Sequence, residues 1–433
     1  MCLFFRAFFC CVVLLFLTSC QSHNFQHPSR FDTRLYEQRI IVPLSHHKVL
    51  KKKFLKTFFH PWSNPNMSFK ASSLQNAFKR FKKNPGFNEA KTQRSKSWVE
   101  SLELESSLTS FPSVKRRAIS VASTSLRLLP TFKPHYKNID NHADDYPLDN
   151  FQVSALPANT PVLILHFNKA RSWAYVYAGF ASGWVSMKDL AFVSNDFIKK
   201  FKSFSFVSIV KENIPVYLKG KKFLYRANIG MVFPYIKSTK YSHIVKVAYR
   251  NSQGYAILKR AYFSKNAGVL QPYLITPKRI ERLAKRLLDQ PYGWGGLFGN
   301  RDCSSLIRDL FIPFSINLPR NSAAQAKHAG VFIDLSGFIN DDEKEAFIAK
   351  NALPYLTLLW LPGHVMLYVG TENGRVMVLH NLWGVRSIDS LKRKIVGKSI
   401  ISNLEPKLNE ADVDRRSTLL KRLSGMTVLF PRY

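Results

Sequence analysis

Cys303 closes a glycine-rich stretch, Pro291-Tyr-Gly-Trp-Gly-Gly-Leu-Phe-Gly-Asn-Arg-Asp-Cys303, and opens the segment Ser304-Ser-Leu-Ile-Arg-Asp-Leu-Phe311. The four glycines at 293, 295, 296 and 299 force a loop, because glycine accepts positive φ and disfavours regular structure. Asp302 is a good N-cap, and Leu306, Ile307, Leu310 and Phe311 mark one apolar helical stripe. Cys303 is therefore expected in the first turn of a helix. Unpaired N–H groups and the positive dipole end there favour a thiolate, lowering the thiol pKa from about 8.5 toward neutrality. The same N–H groups suit an oxyanion. A nucleophilic thiol needs a base, and imidazole is the usual one near neutral pH. His364 opens the strand-like run His364-Val-Met-Leu-Tyr-Val-Gly370, and His380 closes Val376-Met-Val-Leu-His380. A lone core cysteine is more often inert packing, and a lone strand histidine is ordinary. Their combination around one hairpin is not.

A histidine pair constrains that hairpin. Side chains alternate faces with period two, so His364 and His380 share a hydrogen bond only if the turn length puts them on the same face. A two-residue Asn373-Gly374 turn pairs Glu372 with Arg375 and sends the two rings to opposite faces. A three-residue loop, Glu372-Asn373-Gly374 with Gly374 as the left-handed bulge residue, sets Met366 opposite His380 and His364 opposite Leu382. The three-residue or another odd-length loop is the expectation, with both histidines on the face that meets Cys303.

The elements that hold this group belong to a long chain. Its 433 residues correspond, at about 150 residues per domain, to roughly three domains. A 46% hydrophobic and 13% aromatic content supplies packed cores despite a formal charge of +36. The cysteines fall at 2, 10, 11, 20 and 303, which excludes a disulfide framework and any Cys-x-x-Cys zinc pair. Arg6 precedes an apolar run from Ala7 to Leu17, too short to span a bilayer of about 30 Å but suited to a signal peptide. The following Leu17-Thr18-Ser19-Cys20 resembles a bacterial lipobox, which implies removal of residues 1–19 and lipidation of Cys20. An uncleaved anchor is the alternative.

Residues 51–96 carry twelve Lys/Arg and one acid, with Phe54, Phe58, Phe59 and Trp62 interleaved. Either this segment grips polyanions, or it is a solvated helical face whose aromatics pack inward. Ser101 to Ser113 reads as a linker. Short β-rich runs follow: 161–166, 173–177, 183–185, 205–210, 216–218, 243–248 and 254–258, the pattern of small barrels. Trp173-Ala-Tyr-Val with Ala181-Ser-Gly-Trp-Val185 looks like the core of a bacterial SH3 domain, and the second block suggests another on strand pattern alone. After Thr276-Pro277, Ile280, Leu283, Ala284, Leu287 and Leu288 keep a helical period.

Tyr292-Gly-Trp-Gly-Gly, Asp302-Cys303-Ser304, Leu318-Pro-Arg-Asn-Ser322, Pro362-Gly-His364 and Leu379-His380-Asn381 resemble the successive motifs of the NlpC-type cell-wall cysteine peptidases. His60-Pro-Trp62 and Leu128-Leu-Pro-Thr131 resemble the N-terminal segments of its lipoprotein subgroup with two bacterial SH3 domains. The resemblance implies an α+β fold: a signal peptide at 1–19, a basic stabilising segment and linker at 20–121, SH3-like barrels at 122–196 and 197–272, and a papain-like catalytic domain at 273–433. It implies Cys303 as nucleophile, His364 as base and His380 as the residue that orients it. It sets Tyr292, Asp302, Ser304 and Ser322 around the substrate, with Trp294 and Arg320 as further substrate-binding candidates. Asp302 suits an ammonium group, or is purely a helix cap; Arg320 meets a substrate carboxylate or a surface acid. The substrate implied is a peptidoglycan stem peptide or muropeptide with a free L-alanine amine, cut between γ-D-glutamate and the diamino acid, without a cofactor. The rival reading is a non-catalytic cell-wall-binding lipoprotein. No His-Glu-x-x-His occurs, which argues against a zinc amidase. Export argues against the nucleic-acid binding that the charge alone suggests. The expected location is the periplasmic face of the cell envelope, with Gln21 after the lipidated cysteine favouring the outer membrane.

Overall fold

The computed structural model describes residues 42–64, 69–139, 146–386, 393–405 and 418–430. The signal segment 1–19 and Cys20 lie outside the described residues. No helix among the described residues is long and apolar enough to cross a membrane.

Three antiparallel sheets follow one another along the described chain. The first takes Arg116–Ser120, Thr124–Arg127, Gln152–Leu156, Pro161–Phe167, Trp173–Tyr177, Ser182–Ser186 and Leu190–Phe192. The second takes Ser205–Ile209, Ile214–Leu218, Phe223–Ala227, Val232–Ser238, Ser242–Arg250, Ala256–Ser264 and Gly268–Leu270. With the strands of each sheet numbered from one in chain order, both lie in the spatial order 3-2-6-5-4-1-7. The two SH3-like units thus repeat one topology. Trp184 is fully buried in the first, as a core tryptophan.

The segment ahead of the barrels is helical, with Leu44–Phe58, His60–Ser63, Ser72–Lys83 and Lys96–Ser106. Phe54, Phe59 and Trp62 are buried against Phe197, Phe201 and Phe206, while Lys52, Lys53 and Lys56 stay exposed. This is the solvated face with inward aromatics. Trp62 Nε1 donates to Ala118 O at 2.8 Å, pinning the segment to the first barrel. The linker expected at Ser101–Ser113 is instead helix as far as Ser106. Ser95 Oγ caps it by accepting from Trp98 N, and Val99, Trp98 and Leu102 pack with Phe78, Phe81 and Phe151. Serine content suggested a linker; the buried apolar stripe decides otherwise. The first barrel also starts earlier than 122, at Arg116.

The last domain is papain-like α+β. Its first helix, Pro277–Arg286, is capped by Thr276 and turns Ile280, Leu283 and Ala284 inward, as the period predicts. Its sheet orders Val331–Asp334, Gly425–Val428, Thr357–Leu361, His364–Glu372, Arg375–Arg386 and Arg393–Asn403 as spatial neighbours. The helix Cys303–Phe311 covers one face, packing Leu306, Ile307, Leu310 and Phe311 with Val365, Leu367, Val369 and Leu379. Met366, Tyr368, Val376 and Val378 face the other way, under Ile348 and Leu420. Burying each such side chain contributes about 1.5–3 kcal/mol, so this packing, rather than any surface charge pair, holds the helix to the sheet.

Both barrels reach the loop before Cys303. From the second, Glu212 takes a two-pronged ion pair from the buried Arg301 guanidinium at 3.0 and 3.1 Å, and Ile229 O accepts from the same group. From the first, Gln152 Nε2 donates to Gly295 O at 3.1 Å, and Ser154 Oγ accepts from Arg320 Nε at 2.8 Å.

Candidate active site

The glycine loop lies directly on the strand Gln152–Leu156. Gly295 and Gly296 have φ of 58° and 83°, and a Cβ on Gly296 would sit 2.7 Å from Ala155 Cβ. Only glycine meets both the backbone conformation and the close approach. Trp294 stays 41% exposed at the loop's edge, and Tyr292 sets its ring on Trp383.

The loop delivers Asp302 as the N-cap of the helix in a reciprocal capping box with Ser305. Its carboxylate is saturated. Oδ1 accepts from Ser305 N (2.8 Å), Ser305 Oγ (2.8 Å), Ser304 Oγ (3.1 Å) and Arg320 Nη1 (3.2 Å). Oδ2 accepts from Gly295 N (3.1 Å) and Arg320 Nη2 (2.6 Å). Burial pushes this carboxyl up, but the Arg320 guanidinium and the Ser305 hydrogen bonds outweigh it and hold it below the usual carboxylate range. Arg320 thus meets a buried internal carboxylate, not a surface acid. Asp302 is a cap and half of an ion pair rather than a lone anion awaiting an ammonium. Ser304 joins them by accepting from Arg320 Nη1 at 2.9 Å. Ser322 begins the next helix, Ser322–His328, behind its cap Asn321.

Cys303 sits in the first turn as expected and is 8% exposed. Its expected pKa depression is not found. Burial first, and the Asp302 carboxylate second, push the thiol up to about 12, against the opposing backbone N–H groups of Val365 and Ser304 and the Arg320 charge. Desolvation exceeds the helix-terminus effect here.

The hairpin corrects the expected turn and keeps the expected register. Glu372 pairs with Arg375 across a two-residue turn, so the three-residue loop is absent. Further along, Tyr368 pairs with Val378 and Gly370 with Met377, leaving Val369 as an extra residue. This bulge, with Gly370 at φ 132°, reverses the parity that the turn would have imposed. The ladder then reads Leu367 opposite Leu379, the register that aligns Met366 with His380. His364 Nε2 and His380 Nδ1 lie 2.9 Å apart. Leu379 packs in the cluster around Cys303 and Asn381 Nδ2 donates to Arg301 O, so His380, between them, points away from the body of the helix. The expectation that both rings lie on the face that meets Cys303 is therefore not met for His380; the sulfur is served by the amide of Val365, the residue after His364. Burial, then the neighbouring His364, drive the His380 pKa well down, so His380 is neutral.

Several contributors escaped the sequence reading. Ser402 Oγ lies 3.1 Å from His380 Nε2. Gln325 Nε2 donates to Ser304 O and Pro319 O, both at 2.8 Å, tying the following helix to the site. Gln152 and Ser154 come from the first barrel. None belongs to a motif; only tertiary pairing exposes them. Among the described residues no three His, Cys, Asp or Glu side chains are grouped to hold a metal ion.

Comparison with known proteins fits this geometry. Residues 289–405 match the NlpC/P60 family, 134–186 an SH3 domain of SH3b1 type, 194–240 an SH3 domain of SH3b2 type, and 9–111 the N-terminal NLPC_P60 stabilising domain. No curated protein matches the chain in sequence. Among solved structures, an NlpC/P60 endopeptidase from Photobacterium damselae subsp. piscicida is 22% identical and superposes with a TM-score of 0.81 over 92% of this chain and 95% of its own. An NlpC/P60 family protein from Bacillus cereus is 17% identical with a TM-score of 0.50, over 73% of this chain and 100% of its own. By these matches the chain carries an NlpC/P60 domain, the domain of a cysteine peptidase family, at 289–405, behind SH3 domains of SH3b1 and SH3b2 type.

Proposed function

We propose that the protein hydrolyses peptidoglycan stem peptides or muropeptides, cutting the bond between γ-D-glutamate and the diamino acid in peptides with a free L-alanine amine. The observation that carries the reading is the buried Cys303 thiol served by the Val365 amide beside the His364–His380 pair. The thiol loses its proton to His364 as the sulfur attacks the scissile carbonyl carbon. First-turn amides of the helix take the oxyanion. The imidazolium then protonates the leaving nitrogen, the C–N bond breaks and a thioester remains. Water, deprotonated by His364, attacks that carbonyl, and the sulfur leaves as the proton returns. His380 orients His364.

The strand Gln152–Leu156 packs against the site loop, and this contact supports a reading in which it closes one end of the cleft and selects a peptide terminus. A lipid on Cys20 would hold the enzyme on the periplasmic face of the bacterial cell envelope, the outer membrane favoured; the support for this is the sequence at 1–21. Cys303→Ala is the primary test: cleavage of a defined muropeptide set, followed by mass spectrometry, should fall by more than about a thousandfold with the fold intact. Residual activity above that level would reject the assignment and favour a wall-binding role. Acetylating the substrate amine should cut kcat/KM sharply; equal rates would reject the terminus selection.

A further inference from the structure

We infer that Ser402 is a positioning residue that fixes the proton arrangement of the histidine pair and so makes His364 a competent base; this rests on the peptidase reading above. Ser402 lies on the outermost strand, Arg393–Asn403, opposite Val378 and diagonal to His380 on the same face. Its Oγ is 3.1 Å from His380 Nε2, and it donates its hydrogen to Asn403 O at 2.8 Å. A hydroxyl has one hydrogen. With that hydrogen committed to the carbonyl, Ser402 can only accept from His380, so the proton of His380 sits on Nε2.

The rest of the relay follows. His380 is fully buried and neutral, so its Nδ1 carries a lone pair. That lone pair accepts from His364 Nε2 across 2.9 Å. A neutral His364 that carries its proton on Nε2 has its lone pair on Nδ1, the nitrogen then able to take the thiol proton. The opposite setting fails. If Ser402 donated to His380 Nε2, then His380 Nδ1 would hold the proton and donate to His364 Nε2. His364 would then carry its hydrogen on Nδ1, leaving that nitrogen no lone pair with which to take the thiol proton. A wrong tautomer costs catalysis even with geometry intact. Ser402 is buried, so bulk water does not simply substitute for it.

The test uses the full chain labelled with ¹⁵N-histidine, long-range ¹H–¹⁵N correlation to read the tautomers, and kinetics on an L-Ala-γ-D-Glu-diamino acid peptide. Wild type should show His380 and His364 both protonated at Nε2. Ser402→Ala should lose the single His380 tautomer and lower kcat by about tenfold to a thousandfold, with KM within about twofold. Ser402→Thr should restore both readouts, which a merely structural role would not require. A wild-type His380 protonated at Nδ1 overturns the inference, whether or not the alanine variant folds. So does a Ser402→Ala protein in which tautomer and kcat do not change together. Tautomers that follow Ser402 in a protein that cleaves no stem peptide would uphold the relay and overturn the peptidase reading.

Discussion

Replacing Asp302 with Asn separates the charge of this residue from its role as a cap. Asparagine caps a helix about as well as aspartate, so the Ser305 bonds survive nearly unchanged. What disappears is the negative half of the pair with Arg320, in which each side chain is only 11% exposed. Removing one partner of a buried pair costs about 3–5 kcal/mol, because the remaining charge is left uncompensated; the partial exposure argues for the lower end, about 3 kcal/mol. The thiol should respond in the opposite sense. The Asp302 carboxylate raises the Cys303 pKa while Arg320 lowers it, so the variant keeps the cation and loses the anion. Iodoacetamide should then alkylate Cys303 faster at neutral pH. Urea titration of tryptophan fluorescence, with mass spectrometry of the Cys303 peptide, reads both effects. Since the folded carboxyl is held below its usual range, its contribution is present above the unfolded value near pH 4 and is lost as pH falls through the folded one. Asp302→Asn should therefore flatten the acid limb of the stability curve. A variant within about 0.5 kcal/mol of wild type, or one alkylated more slowly, would refute the assignment of Asp302 as an internal counter-ion.

Gly370→Ala should cost about 1–3 kcal/mol by chemical denaturation, since φ of 132° is strained for alanine while no atom lies within 4 Å to clash. If the bulge relocates in response, kcat should fall more than tenfold with KM retained, because the histidine pair loses its register. Gly296→Val should push the strand Gln152–Leu156 off the loop, read as a raised KM and weaker discrimination against acetylated peptide; unchanged kinetics would remove the barrel from substrate selection. Glu212→Gln should leave Arg301 undercompensated and destabilise by about 2–4 kcal/mol, with limited proteolysis appearing first between the second barrel and the papain-like domain.

The residues nearest in sequence to the chemistry were the most legible. The loop, the cap and the apolar stripe are local, so Asp302, Cys303 and the helix Cys303–Phe311 follow from short-range rules. The hairpin shows where such rules stop. The need to share a face fixed the register of His364 and His380 correctly, yet parity has two solutions, an odd loop or a bulge, and Asn373-Gly374 closes a two-residue turn while Val369 supplies the bulge. The apolar run Leu367-Tyr368-Val369 has no break to mark it; only Gly370 hints at the place. The thiol pKa went wrong for a related reason. Proximity to a helix terminus and to the adjacent Asp302 is readable from sequence, whereas burial under Val365 and the approach of Arg320 are tertiary. In the helical segment Lys96–Ser106, serines that read as linker cap and decorate a helix whose apolar side is covered by Phe78 and Phe151.

The saturation of Asp302 also bears on how the proposed amine selection would work. An ammonium approaching this carboxylate gains a net charge attraction only by displacing Arg320, and that would exchange a two-pronged buried pair for a single contact. The pair as a whole is neutral, and Arg320 is further held by Ser154 of the first barrel. If the proposed selection of a free terminus holds, it falls to space: the strand Gln152–Leu156 lies directly against Gly295 and Gly296 of the site loop. Under the proposed reading the first barrel would form a wall of the site, tied to the loop by Arg320, which bonds both Ser154 and Asp302.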